Sequence, residues 1–271
     1  MPAIGPMLRG LRVAAHILAG VAAALAAALC RAMGGTCGWV ARTRQWWHRR
    51  LCRCLALELE PVGDPLPGTL LVANHISWLD VPALGALAQV DFVSKAEVRR
   101  WPLVGLLARA ADTLFLRRGA HQASAITGQI RERLAKGRSV VIFPEGTTGN
   151  GLALRRFHPR LFAAAQEPPV PIQPVAVRYG TNAAPDPVAP FVGDDSLATH
   201  LLRVLCRPGI RVEVRFLAPI DPAGRDRRAL AEAVRSAITA RLEPLPVPVH
   251  RSDAVTREIE RSSAVGPEGL L

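Results

Sequence analysis

Apolar residues in the middle of the chain fall into short runs that alternate with stretches of helical period. The short runs are rich in β-branched residues, as strands covered on both faces are. They are residues 69–74, 91–95, 113–117, 139–144, 171–179 and 210–217. Residues 123–137 and 225–242 repeat apolar positions at the spacing of an amphipathic helix. This alternation predicts an α/β fold with a largely parallel, covered sheet.

The N-terminus has a different pattern, a long apolar stretch without charge. Residues 13–30 carry no charged side chain, and as a helix they would be about 27 Å long, just enough to cross a bilayer. Trp39, Trp46 and Trp47 follow among arginines, a combination typical of the lipid head-group layer. We therefore expect an N-terminal membrane-anchoring helical segment. A signal peptide cleaved near Ala28 and a buried helix of a soluble protein remain alternatives.

The charge is concentrated at the same end of the chain. The sequence has 34 basic and 22 acidic residues, a net charge of +12, and residues 1–57 contain eight arginines but no acid. Because no nucleic-acid reading module accompanies these arginines, we expect membrane lipids as partners and no nucleic acid. More positive charge follows the apolar stretch than precedes it, which predicts that the rest of the chain faces the cytoplasm at the inner membrane.

These patterns divide the chain into three parts. Residues 1–57 are predicted to form membrane-anchoring and interfacial helices, and residues 58–243 one globular domain. Residues 244–271 are rich in proline and then polar, and we expect a poorly ordered tail. The five cysteines form no C-x-x-C pair, and the glycine-rich residues 146–151 lack a lysine, so neither a metal nor a nucleotide cofactor is expected.

Polar residues follow two of the predicted strands directly. Asn74 and His75 come after one strand, and Glu145 and Gly146 come after another. In α/β sheets ligands bind beyond the carboxyl ends of the strands. The two motifs are therefore predicted to share one crevice.

His75 and Asp80 are a candidate acid–base pair. A carboxylate bonded to one ring nitrogen of a histidine fixes the tautomer and stabilises the imidazolium. The spacing alone also fits a simpler interpretation, in which Asp80 caps a helix before Pro82 and His75 is an ordinary loop residue. The chain has no Gly-x-Ser-x-Gly run for a serine nucleophile. A pair without its own nucleophile suggests activation of a hydroxyl on the substrate.

Four ordered blocks resemble those of the glycerolipid acyltransferases, whose best-known members are the 1-acylglycerol-3-phosphate acyltransferases. They are NHISWLD at 74–80, TLFLRR at 113–118, FPEGTT at 143–148 and VPIQPVAV at 170–177. The resemblance covers roughly residues 70–180 and identifies residues 58–243 as an acyltransferase domain.

This resemblance implies transfer of a fatty acyl group from acyl-CoA or acyl carrier protein to the free hydroxyl of a lysophospholipid, chiefly 1-acylglycerol-3-phosphate, to give phosphatidic acid. It implies that His75 is the general base and that Asp80 orients it. It also assigns substrate binding to Asn74, Lys95, Arg117, Arg118, Glu145, Gly146 and Thr147.

One position departs from the family pattern. Many members carry Glu-Gly-Thr-Arg, whereas this chain has Thr148 in the last place. The missing arginine removes an expected phosphate contact, which Arg155 or Arg156 could supply. Another acceptor, such as lyso-ornithine lipid, is the alternative within the family. A non-catalytic lipid-binding protein of the membrane surface is the alternative outside it.

Overall fold

The computed structural model describes residues 4–34, 38–116, 120–181 and 183–242. Its centre is a seven-stranded sheet in the order β1-β7-β6-β2-β5-β3-β4. The strands are β1 (Leu57–Val62), β2 (Leu70–Ala73), β3 (Val90–Lys95), β4 (Leu114–Leu116), β5 (Ser139–Ile142), β6 (Ile172–Tyr179) and β7 (Ile210–Phe216). The predicted tail, residues 244–271, lies outside the described part of the chain.

Strands β6, β2, β5, β3 and β4 all run in one direction, so the prediction of a largely parallel sheet is confirmed. The exception is at one edge, where β7 pairs antiparallel with β6 and β1 pairs parallel with β7. Strand β1 was not predicted. Its sequence, LELEPV, contains two glutamates and a proline, and proline is tolerated only at edges and strand ends because it cannot donate to the ladder.

Helices cover both faces of the sheet. They are α1 (Ile4–Ala32), α2 (Trp39–Cys54), α3 (Asp80–Leu87), α4 (Val104–Ala110), α5 (Ala120–Ala135), α6 (Leu197–Leu205) and α7 (Arg227–Leu242). One core lies beneath α1, α2, α3 and α6, and the other lies beneath α5, α7 and a 3₁₀ helix at Pro159–Ala165. Strand β2 serves both cores, because successive side chains point to opposite faces: Leu71 and Ala73 join the first core, and Leu70 and Val72 join the second.

Helix α1 includes the apolar stretch predicted at 13–30 and packs along the protein on one side. Val13 and Ala27 are buried, and Gly20 lets α1 lie against Trp47 of α2 and Leu107 of α4. On the other side, Leu11, Leu18 and Leu25 are 59–66% exposed. Gly5–Ala32 is long and apolar enough to cross a membrane. Of the 18-residue apolar stretch within it, 22% is buried inside the protein.

Helix α2 packs against α3 through His48, whose ring lies over Gly85. A Cβ at Gly85 would come within 2.5 Å of that ring, so only glycine allows this close approach. The ring also meets Phe92 edge to face at 6.1 Å. Burial, together with the nearby charge of Arg44, lowers the pKa of His48 to about 4. The folded protein therefore holds His48 neutral.

This burial makes the stability of the fold depend on pH. The unfolded chain protonates His48 below its ordinary pKa of 6.5, while the folded chain resists protonation down to about pH 4. The free energy of unfolding should be highest above pH 6.5 and lose up to about 3 kcal/mol as the pH falls to 4. Replacing His48→Leu should flatten this part of the profile, measured by urea unfolding at several pH values. An equal decline in both proteins would contradict the assignment.

Candidate active site

The predicted site residues come together at one edge of the sheet. Strands β2, β5, β3 and β4 are consecutive neighbours and parallel, so the loops that follow them leave from the same side. His75 follows β2, Glu145 follows β5, and Lys95 ends β3. Arg117 and Arg118 come directly after β4 but lie outside the described residues.

His75 and Asp80 are directly bonded. His75 Nδ1 lies 2.8 Å from Asp80 Oδ2, and because a carboxylate only accepts, the hydrogen belongs to Nδ1. Helix α3 starts at Asp80, but the structure gives no side-chain cap bond there. The carboxylate instead accepts from the backbone N–H groups of Ile76 and Ser77, which precede it. This geometry favours the paired arrangement over the simple helix cap.

Tyr179 completes the surroundings of Asp80. Its hydroxyl donates to Asp80 Oδ1 over 2.7 Å, and both side chains are buried. Burial raises the pKa of Tyr179 well above its usual range, and the nearby charge of Asp80 acts in the same direction. Tyr179 therefore stays protonated and can only donate to Asp80. The sequence analysis missed this residue, which lies at the end of β6, the strand beside β2.

The second nitrogen of the His75 ring, Nε2, is not used in the pair with Asp80. The ring stacks on Phe143 at 4.0 Å between centroids with an angle of 18°, and its side chain is 20% exposed. With Nδ1 used by Asp80, the lone pair of Nε2 remains, and no described residue hydrogen-bonds to it. The arrangement can therefore accept a proton from a molecule that enters the site.

Glu145 holds two loops together. Its Oε1 accepts from the backbone N–H of His75 at 2.8 Å, and its Oε2 accepts from that of Arg155 at 3.0 Å. Burial raises the pKa of Glu145, although the two backbone donors oppose that effect. The same loops are joined by Gly149, whose N–H donates to the carbonyl of His75 over 2.8 Å.

Asn74 is buried and hydrogen-bonds to the neighbouring strand β6. Its amide donates to the carbonyl of Val177 and accepts from the N–H of Val177, at 2.9 and 2.8 Å. The side chain thus links the end of β2 to β6. This placement favours a role in positioning the loop over the substrate contact implied by the family resemblance.

The other predicted residues that the structure describes are exposed. Lys95, Gly146 and Thr147 all face solvent. Gly146 has φ +69°, a conformation that glycine adopts without strain, and its N–H closes a turn onto the carbonyl of Phe143. Their binding roles stay predictions.

Thr148, the departure from the family pattern, is used within the protein. Its hydroxyl donates to the carbonyl of Phe191 in a short hydrogen bond, and the N–H of Phe191 donates to the carbonyl of Ile76 at 3.0 Å. These two hydrogen bonds connect the loop around Phe191 to the loop after β5 and to the loop after β2. Arg155, one of the two substitutes considered for the missing arginine, is exposed beside Glu145.

Two further observations concern a serine nucleophile and a metal ion. Ser77 is fully buried and its hydroxyl has no hydrogen-bond partner in the structure, so it does not face His75 as a nucleophile would. Within the described ranges, no group of three or more His, Cys, Asp or Glu side chains is arranged to hold a metal ion.

Comparisons with known proteins identify relatives of this chain. Residues 62–178 match the family model described as Acyltransferase. The chain is 48% identical over 198 residues to the lyso-ornithine lipid O-acyltransferase of Pseudomonas aeruginosa, covering 73% of this chain and 77% of that protein. It is 33% identical over 198 residues to the 1-acyl-sn-glycerol-3-phosphate acyltransferase of Neisseria meningitidis, covering 71% and 77%.

A solved structure shares the fold. The crystal structure of the 1-acyl-sn-glycerophosphate acyltransferase from Thermotoga maritima matches with a TM-score of 0.63 at 22% identity. The match covers 91% of this chain and all of that chain.

The two backbone bonds to Glu145 give a prediction about stability. In Glu145→Gln the amide nitrogen cannot accept, so the N–H of His75 or Arg155 loses its partner in a buried place. We expect a loss of about 1 to 3 kcal/mol in the free energy of unfolding, with faster hydrogen exchange in the loop after β2. Glu60→Gln, at an exposed ion pair with Arg211, is the matched control and should cost less than about 1 kcal/mol. Equal losses would mean that Glu145 does not hold the loops.

Proposed function

This chain belongs to the acyltransferase family, and we propose that it transfers a fatty acyl group from acyl-CoA or acyl carrier protein to the free hydroxyl of a lysolipid. The observation that carries this proposal is the bonded pair of His75 and Asp80, with the second ring nitrogen open to the site. A partly exposed base of this kind suits deprotonation of an alcohol.

In the proposed reaction, Nε2 of His75 takes the proton of the acceptor hydroxyl while the oxygen attacks the thioester carbonyl. The tetrahedral intermediate then collapses, the C–S bond breaks, and the departing thiolate takes the proton back from the imidazolium. Asp80 keeps the hydrogen on Nδ1 throughout and stabilises the positive ring. The buried Ser77 supports a direct transfer without an acyl-enzyme.

We propose lyso-ornithine lipid as the acceptor in preference to lysophosphatidate. The hydroxyl of Thr148 is engaged by Phe191, and it replaces a guanidinium that would suit a phosphomonoester. An ornithine head group has a carboxylate and an ammonium group but no phosphate. The 48% identity to a lyso-ornithine lipid O-acyltransferase supports the same choice.

Exposed cations around the site would hold the carboxylate of such a head group. Arg155 stands beside Glu145, and Lys95 ends the strand next to β5. Paired N–H donors of arginine suit a carboxylate as well as a phosphate. Arg117 and Arg118 keep the role that the family resemblance implies.

The reaction is proposed to take place at the cytoplasmic face of the inner membrane. The exposed leucines of α1 form an apolar stripe that lipid would cover, and Trp46 of α2 is 53% exposed beside Arg50. We propose residues 1–57 as the anchoring part and residues 58–243 as the acyltransferase domain. The excess of arginine after the apolar stretch supports the cytoplasmic orientation.

A panel of lysolipids tests the proposal. The purified chain is incubated with lyso-ornithine lipid, lysophosphatidate and a zwitterionic lysophospholipid, each with acyl-CoA and with acylated carrier protein. Products are identified by mass. We expect the fully acylated ornithine lipid as the preferred product. A protein that binds vesicles but acylates none of the acceptors would instead be the non-catalytic lipid-binding protein.

Removal of the base should abolish most turnover. His75→Ala should lower kcat at least about a hundredfold, the usual size of a general-base effect, in a protein that remains folded and membrane-associated. Asp80→Asn should also lower kcat strongly, because an amide can favour the wrong imidazole tautomer. Steady-state kinetics with the preferred acceptor measure both. Near-normal turnover of His75→Ala would end the proposed mechanism.

Restoring the family arginine should shift acceptor choice. Thr148→Arg should raise kcat/KM for lysophosphatidate relative to lyso-ornithine lipid by about tenfold or more, as a charge-assisted bond to phosphate would. Thr148→Val, which removes the bond to Phe191 without adding charge, should lower both activities alike. An unchanged ratio in Thr148→Arg would mean that position 148 does not face the acceptor head group.

A further inference from the structure

A second group of cations lies apart from His75, after the end of β3. An open cavity of about 580 Å³ has a lining that includes Arg99, Arg100, Trp101, Leu103 and Arg109. We call these five residues the Arg99 patch. They belong to the 3₁₀ helix at Ala96–Arg100, to the turn after it and to α4. They have no role in the proposed mechanism.

The charges of the patch are not neutralised within the described part of the chain. Its three arginines make no ion pair with any described carboxylate; Arg109 donates to the carbonyl of Arg99 at 2.8 Å. Glu97 is on the same 3₁₀ helix but does not line the cavity. Asp112, which follows α4, is bound by Arg133 and Arg138. Three guanidinium groups around one cavity favour an anion there.

The same patch presents apolar side chains to solvent. Trp101 is 40% exposed and Leu103 is 52% exposed. A tryptophan and a leucine beside arginines match the boundary of a bilayer, where the ring lies among head groups, the aliphatic chain enters the lipid, and the cations meet phosphates. A site that only held a soluble anion would not require the exposed leucine.

The patch lies next to α1, the helix proposed to anchor the chain. Helix α4 packs on α1 at Gly20, where a Cβ added to the glycine would lie 3.2 Å from the side chain of Leu107. We propose that the Arg99 patch binds the phosphate of an anionic phospholipid head group in the bilayer. This contact would hold the carboxyl edge of the sheet, and therefore His75, against the leaflet that contains the acceptor. The inference rests on the membrane location proposed above.

Competition between two kinds of vesicle tests this inference. The full-length chain is offered vesicles of phosphatidylcholine and vesicles containing phosphatidylglycerol, and the ratio of bound protein is measured at low salt. One arginine near an anionic surface contributes about a fivefold preference. Arg99→Gln/Arg100→Gln should therefore reduce the preference for anionic vesicles about 25-fold.

The double variant Arg227→Gln/Arg228→Gln is the matched control. It makes the same change in net charge at exposed positions on α7, which covers the opposite face of the sheet, and it should keep most of the preference. Leu103→Ser should weaken binding to both vesicles alike. No acyl donor or acceptor is present, so a failure of acyl transfer would not affect this result.

Two outcomes would overturn the inference. If both double variants reduced the preference for anionic vesicles equally, the preference would depend on the net charge of the protein and not on the Arg99 patch. An unchanged vesicle preference in Arg99→Gln/Arg100→Gln together with a raised KM for acyl-CoA would show that the patch binds the phosphates of the donor.

Discussion

The position of the buried carboxylate of Asp80 is the constraint on which the site depends. One oxygen accepts from His75 Nδ1 and from the N–H groups of Ile76 and Ser77, and the other accepts from Tyr179. A fully buried charge is tolerated only when it is well hydrogen-bonded. These four donors therefore fix the loop after β2 and the orientation of the histidine together, and the open nitrogen follows from that orientation.

The surrounding loops are held to this unit by hydrogen bonds to its backbone. Glu145 and Gly149 connect the loop after β5 to His75, and Phe191 connects a third loop to Ile76. Thr148 takes part in this arrangement, which gives a physical reason why the site could favour a head group without phosphate. The proposed reaction on a membrane lipid also requires the site to face the leaflet, and the exposed apolar stripe of α1 is the surface proposed to meet the lipid.

Periodicity was sufficient for the central parallel strands β2, β5 and β6, because they are almost entirely buried and their apolar runs are nearly continuous. It was insufficient for β1, where polar residues occupy an edge strand. The pair of His75 and Asp80 is local in sequence and could be predicted. Tyr179 could not, because it lies 99 residues from Asp80 and only the register of β2 with β6 brings it near. The contact of Thr148 with Phe191 joins two loops, which have no periodic signal.

The tautomer of His75 is the most direct measure of whether Asp80 prepares the base. The ¹⁵N chemical shifts of labelled histidine can be recorded near neutral pH, with the His75 signals assigned by their loss in a variant that lacks this residue. If Asp80 acts as described, Nδ1 carries the hydrogen and Nε2 has the shift of an unprotonated nitrogen. A hydrogen on Nε2, with Nδ1 unprotonated, would contradict the role of His75 as the base that activates the acceptor hydroxyl.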